Sequence, residues 1–241
     1  MANLPDAFQA HIESLLASIS DANAAAIAAA GAAIGRSVAG GGVLHTFGSG
    51  HSEILARELI GRSGGLICVS GIFDPGAGVA ENVAGYGARI VERYDRRYGM
   101  RAGEVIVVIS NSGKNVSPLE VAIYAKEKGL TVVGLCSLAM SRTAPTLHPG
   151  GRKLHEIADH VLDNGGVPGD AAIEIEPGVR AGPTSTLTGA LLLNQLQLAA
   201  IDWMRANSHK PPIFLSQNLP GGEAHNDELV ARYRGRLARN F

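Results

Sequence analysis

The sequence predicts an α/β fold in which a parallel sheet lies between layers of helix. Two observations carry that prediction. Short apolar runs rich in β-branched residues alternate with longer segments of helical period. Two of these runs, Val43–Phe47 and Val105–Ile109, lead into turns of glycine, hydroxyl and amide residues that open helices.

Taken in order, 4–39 reads as helix. Phe8, Ile12, Leu15, Leu16 and Ile19 recur at helical spacing, and Asp21 is expected to break or cap between two pieces. Gly40-Gly41-Gly42 ends that unit. The strand 43–47 meets Gly48-Ser49-Gly50-His51-Ser52, and a helix follows from Glu53 to about Ile60. On it Glu58 has two readings: a partly desolvated proton shuttle, or the ordinary i,i+4 partner of Arg62. Leu66–Val69 is the next expected strand. The glycine-rich loop 71–87 follows, with Asp74, Glu81 and Asn82 facing either a ligand or solvent. Residues 89–98, RIVERYDRRY, suit a short exposed helix or an oligomer contact.

The run Val105–Ile109 then enters Ser110-Asn111-Ser112-Gly113-Lys114-Asn115. Asn115 stands where it would cap the next helix, and Pro118 falls inside the tolerant first turn. A strand, a donor-rich turn and a helix N-terminus make an anion site, and Lys114 adds a positive charge. Leu130–Cys136 and His160–Asp163 are further strands, separated by the loop 137–151 and a brief helix at 153–158. Residues 172–176 alternate like an edge strand. Pro183-Thr184-Ser185-Thr186 starts a helix, 185–206, that is apolar on most sides, and a charged helix, Asp227 to Arg239, ends the chain. A single domain is expected over 1–241: a helical segment 1–39, a core 40–206 and an extension 207–241.

Bulk composition narrows the function. The 241 residues are 46% hydrophobic and 18% charged, with a net charge of −1 and no basic stripe, so nucleic acid is not an expected partner. Cys68 and Cys136 sit in apolar runs, as buried thiols of a reducing compartment do. No leader is evident, and Gly31 and Gly35 interrupt the Ala-rich stretch near residue 30, so no membrane partner is expected and a cytoplasmic location is. The turn at 48–52 lacks the third glycine of a dinucleotide fingerprint, and no GxxxxGK[ST] occurs, which disfavours a nucleotide-binding fold.

The GxGxS turn at 48–52, followed by the Ser-x-Ser-Gly turn at 110–113, resembles the sugar isomerase (SIS) domain of phosphosugar-binding proteins over about residues 40–205. GPTST near 182 and NLPGGEAHN near 218 look like a bacterial subfamily of stand-alone SIS domains. The resemblance implies a three-layer α-β-α sandwich around a five-stranded, parallel, flavodoxin-like sheet, usually dimeric or tetrameric. It implies a phosphorylated sugar as partner. Ser110, Ser112 and Asn115 would hold the phosphate, with Ser52 nearby and Asn115 standing where the family's phosphate loop has a third hydroxyl. Ser49, Gly50, Asn111, Gly113 and Ser185 complete the candidate binding set.

The segment Glu58–Arg62 also looks like the catalytic helix of phosphoheptose isomerases, which would make Glu58 an acid/base. Those enzymes carry a metal-binding His where this chain has Ile54, and their second catalytic His has no counterpart in 185–207. No metal and no cofactor are therefore expected, and His51 or His225 is the candidate second acid/base. Two functions compete: isomerisation or related acid/base chemistry on a sugar phosphate, and non-catalytic phosphosugar sensing.

Overall fold

The computed structural model describes residues 3–238. Its centre is a five-stranded parallel sheet of β1 (Leu44–Gly48), β2 (Val69–Ile72), β3 (Val105–Ile109), β4 (Thr131–Cys136) and β5 (His160–Asp163), in the order β2-β1-β3-β4-β5. Alternate residues of β3 serve opposite faces. Val105, Val107 and Ile109 join a core with α1 (Leu4–Ala39), α2 (Ser52–Glu58) and α7 (Ser185–Ala206). Ile106 and Val108 join one with α3 (Tyr86–Tyr98) and α4 (Val116–Glu127). Two buried faces explain why these strands read as unbroken apolar runs. The strand order is that of a flavodoxin-like sandwich, and the order reverses between β1 and β3, where the outer ends of parallel strands form a crevice.

Helix α1 runs unbroken for 36 residues, contrary to the break expected at Asp21. Asp21 lies exposed on its outer side, while the buried Asn23 amide donates to the carbonyls of Ile19 at 2.7 Å and Asp163 at 2.9 Å. Asn23 thus ties the helix to β5 without interrupting it. Along α7 the two backbones approach closely: a Cβ at Gly31 would lie 2.5 Å from that of Ala199. By length and composition alone α1 could cross a membrane, and its Ile19, Ile27 and Ile34 are buried in the core against the sheet and α7.

Several boundaries differ from expectation. The second strand is Val69–Ile72 and not 66–69, because the C-terminal segment takes the earlier residues. Leu66 bridges Ile213, and the Ile67 amide donates to the Pro212 carbonyl at 2.8 Å. The alternating segment near 172 is not an edge of the main sheet. It is β6 (Ala171–Glu176), which pairs with β7 (Val179–Pro183) in a separate antiparallel hairpin. The loop 137–151 contains α5 (Leu138–Thr143), α6 (Leu154–Ile157) follows, and α3 buries Val91 and Tyr94. The last helix, α8, is Gly222–Arg232, begun by Gly221 and ended before the expected Arg239, which lies outside the described residues. Beyond it Ala238 covers the free edge of β2, its amide 2.8 Å from Ser70 Oγ and its carbonyl 3.2 Å from the Gly71 amide.

Candidate functional site

In register, Leu44 pairs with Val105 and Gly48 with Ile109, so β1 and β3 end level and their two turns stand side by side. Between them lies a cleft of about 520 Å³. Ser49, Gly50, His51 and Ser52 form one wall, and Ser110, Asn111, Ser112 and Asn115 the other. Residues 77–79 and Glu81, from the loop after β2, complete it. Gly113 does not line the cleft. It makes the turn, at φ +61°, where a Cβ would also meet Ser141 Oγ. Lys114 does not line it either; its carbonyl accepts from the Leu147 amide.

The polar groups of the cleft fall into two sorts. The hydroxyls of Ser52, Ser110 and Ser112 have no hydrogen-bond partner among the described residues, and neither do the amides of Ser112 and Lys114. Asn111 accepts from Asn164 Nδ2 at 2.8 Å, and its own NH₂ has no hydrogen-bond partner among the described residues. Ser49, in contrast, donates to Asp74 at 2.8 Å. Asp74 is buried and also accepts from Tyr86 Oη at 2.7 Å and the amides of Gly76 and Gly78 at 2.8 and 2.9 Å. Burial works against its charge, but these hydrogen bonds outweigh it and hold the carboxyl below its usual range. Asp74 therefore fixes the loop over the cleft, and its Asp-Pro-Gly sequence is the turn signal that could have marked it.

Asn115 occupies the N-cap position of α4 without capping it. Its Nδ2 donates to Glu81 Oε1 at 2.7 Å. The loop caps α4 instead: the Ser117 amide donates to the Glu81 carbonyl at 2.8 Å and the Val116 amide to Asn82 Oδ1 at 3.3 Å. Two amides of the helix N-terminus are thus spent within the fold, which corrects the expectation that they point at a ligand.

A second hollow of about 460 Å³ adjoins the first, sharing His51, Ser52, Ile109 and Asn111. Ser185 lines it, but its hydroxyl is 2.5 Å from Asp170 Oδ2. Asp170, at φ +54°, caps α7 by accepting from the Thr184 and Ser185 amides as well.

Of the three acid/base candidates only His51 stands in the cleft. Glu58 lies towards the far end of α2, in a shallow surface depression, with Oε1 2.9 Å from Arg62 Nε. His225 is on α8, its Nε2 3.1 Å from the Ile213 carbonyl. The carboxylate that lines the cleft is Glu81. No group of three His, Cys, Asp or Glu side chains suited to a metal occurs among the described residues.

The family model described as the SIS domain matches residues 7–137. The chain belongs to the SIS-domain family. The matched stretch takes in α1, which the motifs at 48 and 110 did not. A UPF0309 protein of Listeria monocytogenes serotype 4b is 36% identical over 231 residues, covering 92% of this chain and 93% of its own. Another, from Caldanaerobacter subterraneus, is 38% identical over 208 residues, with 81% and 82% covered. Among solved structures, the SIS fold here is similar to the phosphoheptose isomerase of Neisseria gonorrhoeae, with a TM-score of 0.52 at 15% identity over 83% of this chain and 96% of that one. It is similar, too, to the Vibrio vulnificus NanR protein complexed with ManNAc-6P, with a TM-score of 0.52 at 14% identity over 96% and 69%.

Proposed function

We propose that this SIS domain binds a sugar phosphate in the cleft between the β1 and β3 turns and isomerises it by proton transfer. The observation that carries the reading is the unspent donor set beside a carboxylate: Ser52, Ser110 and Ser112 line the same cleft as Glu81. Hydroxyls and amides without internal partners suit phosphate oxygens, and their contacts supply orientation for a reaction elsewhere on the molecule. A base then removes the proton beside the sugar carbonyl and returns it to the neighbouring carbon. Glu81 takes that role in place of Glu58. Asn115 holds Oε1, which leaves Oε2 for the proton. His51, at the mouth of both hollows, serves the carbonyl oxygen.

Sensing is the second reading, and the observation that favours it is the Glu81–Asn115 contact, since a carboxylate engaged by the turn reports an arriving phosphate by letting go. The two structural neighbours support a sugar phosphate in either case, one being a phosphoheptose isomerase and the other a complex with ManNAc-6P. A homo-oligomer belongs to the reading: Leu187 and Leu198 on α7 are 47% and 58% exposed, and Ile54 on α2 is 53% exposed. Light scattering on the purified chain checks it, and a monomer removes it.

The deciding experiment follows thermal stability and deuterium uptake from solvent with a panel of sugar phosphates. The isomerase reading expects a stabilising ligand that also takes up deuterium. Uptake is lost in Glu81→Gln and kept in Glu58→Gln. Stabilisation without uptake selects the sensor. No stabilisation by any sugar phosphate sinks both readings, and uptake at the normal rate in Glu81→Gln moves the base elsewhere.

A further inference from the structure

Behind the Asp74 loop, on the side away from the serine turns, α2, the end of β2 and α3 enclose a groove of about 620 Å³. Its walls carry four arginines: Arg57 from α2, and Arg89, Arg93 and Arg97 at successive helical turns of α3. Phe73, Tyr86, Tyr94 and Tyr98 line the groove as well. The proposed phosphosugar reaction uses none of the four arginines.

Only two of the four arginines are paired with carboxylates among the described residues. Arg57 pairs with Glu53, and Arg89 with Glu92 at 2.9 Å. Arg93 and Arg97 have no ion pair among the described residues. Asp74 is the one carboxylate among the groove's lining residues, and its oxygens already accept four hydrogen bonds. The groove thus keeps a positive excess although the chain as a whole carries −1. Two guanidinium groups already lie over rings, Arg57 Cζ at 4.4 Å from the Phe73 centroid and Arg97 Cζ at 5.4 Å from that of Tyr98.

We propose that this groove is a second ligand site, for a nucleoside monophosphate. Guanidinium planes and aromatic rings are the surfaces on which a nucleobase stacks, and base stacking is sequence-tolerant because every base has a flat face. Arg93, on the same side of α3 as Arg97 and without a carboxylate partner, meets the phosphate as a two-pronged donor. A compact anion such as inorganic phosphate would use the charge and leave the rings idle. The volume suits one small ligand, not a polymer. The absence of a dinucleotide fingerprint at the glycine turns does not bear on this site, which lies on the other side of the Asp74 loop and uses side chains, not turn amides.

Equilibrium dialysis of the full chain against AMP, GMP and inorganic phosphate tests it. One of the nucleotides binds at least about ten-fold tighter than phosphate, the share expected of one stacked base. Arg93→Ala combined with Arg97→Ala weakens that nucleotide about ten-fold or more, and Ser112→Ala changes it by less than about two-fold. Sugar-phosphate stabilisation, read on the same samples, has the opposite pattern, so the two sites fail independently. The proposal is overturned if neither nucleotide outdoes phosphate, if the double variant binds normally, or if Ser112→Ala removes the nucleotide. Binding of polyadenylate alone overturns it too. Should the alanine pair lower the melting temperature, Arg93→Gln with Arg97→Gln keeps the side-chain stems and reads the same loss.

Discussion

The β1–β3 pair carries polar chemistry at both of its ends, and the two ends have opposite character. At the N-terminal end, His45 of β1 and Glu104, just before β3, are buried side by side. His45 Nε2 is 2.9 Å from Glu104 Oε2, and Arg236 Nη2 reaches both Glu104 oxygens at 2.8 and 2.9 Å. The amides of Val43 and Arg101 donate to the same carboxylate at 3.0 and 2.9 Å, and His45 Nδ1 is 2.7 Å from Tyr94 Oη. At the C-terminal end, Ser52, Ser110 and Ser112 are left without partners among the described residues. Polar groups satisfied inside the fold hold it together. Polar groups left unsatisfied in a cleft are reserved for something that arrives. In sequence the two kinds look alike.

The largest expected effect is at the satisfied end. Glu104→Gln leaves Arg236 and His45 without their carboxylate, and breaking a buried pair from one side costs about 3 kcal/mol or more. Denaturant unfolding reads the loss, while sugar-phosphate affinity stays within about two-fold. A loss below about 1 kcal/mol breaks the contrast. Acid tests the same cluster. Burial opposes the Glu104 charge, but hydrogen bonds from His45, the Arg101 amide and Arg236 outweigh it and hold the carboxyl down at about 2, against an ordinary 4.5. Because the folded value lies below the unfolded one, this stabilisation is complete above about 4.5 and is lost as the pH falls from there towards 2. On the order of 3 kcal/mol is at stake, and the Glu104→Gln variant lacks that acid slope.

Much of the scaffold was legible because its signals are local. Val105–Ile109 and the helix from Ser185 to Ala206 fall where their patterns put them, since apolar runs and helical periods are written in consecutive residues. The pair of turns was legible for the same reason. What could not be read depends on distant partners. Leu66 was drawn into the C-terminal segment by Ile213, across the sequence. Ser185 is shown as a bare hydroxyl at a helix start, and only the fold reveals Asp170 closing on it. Glu81 could be read as facing either a ligand or solvent, and only the fold shows its carboxylate held by Asn115, 34 residues away. His45 gave no hint of Glu104, 59 residues away.

Next in size is Asp74, which brings the satisfied character to the cleft itself. Asp74→Ala strips an acceptor from Ser49, Tyr86 and two loop amides, at about 2 kcal/mol. It frees the loop bearing Glu81, so hydrogen exchange of residues 75–85 rises with the loss of stability. Unchanged protection there means that the loop is held by something other than Asp74. Ser112→Ala is the counterpart. It removes a hydroxyl with no partner among the described residues and shifts stability by less than about 0.5 kcal/mol, yet weakens sugar-phosphate binding about ten-fold.

Ser49→Ala is the smallest change and the sharpest comparison, because Ser49 and Ser112 are the same residue type on facing walls of one cleft. Ser49 donates its proton to Asp74, so a ligand phosphate cannot have it. Its loss is that of one hydrogen bond to a buried carboxylate, about 1 kcal/mol of stability, with the three remaining donors still holding Asp74 charged. Sugar-phosphate affinity then moves by no more than about two-fold, against about ten-fold for Ser112→Ala. If Ser49→Ala instead weakens the ligand as much as Ser112→Ala does and leaves stability untouched, the hydroxyl turns from Asp74 to the phosphate on binding. Both turns are then ligand walls, and the division between spent and unspent hydroxyls holds only for the empty cleft.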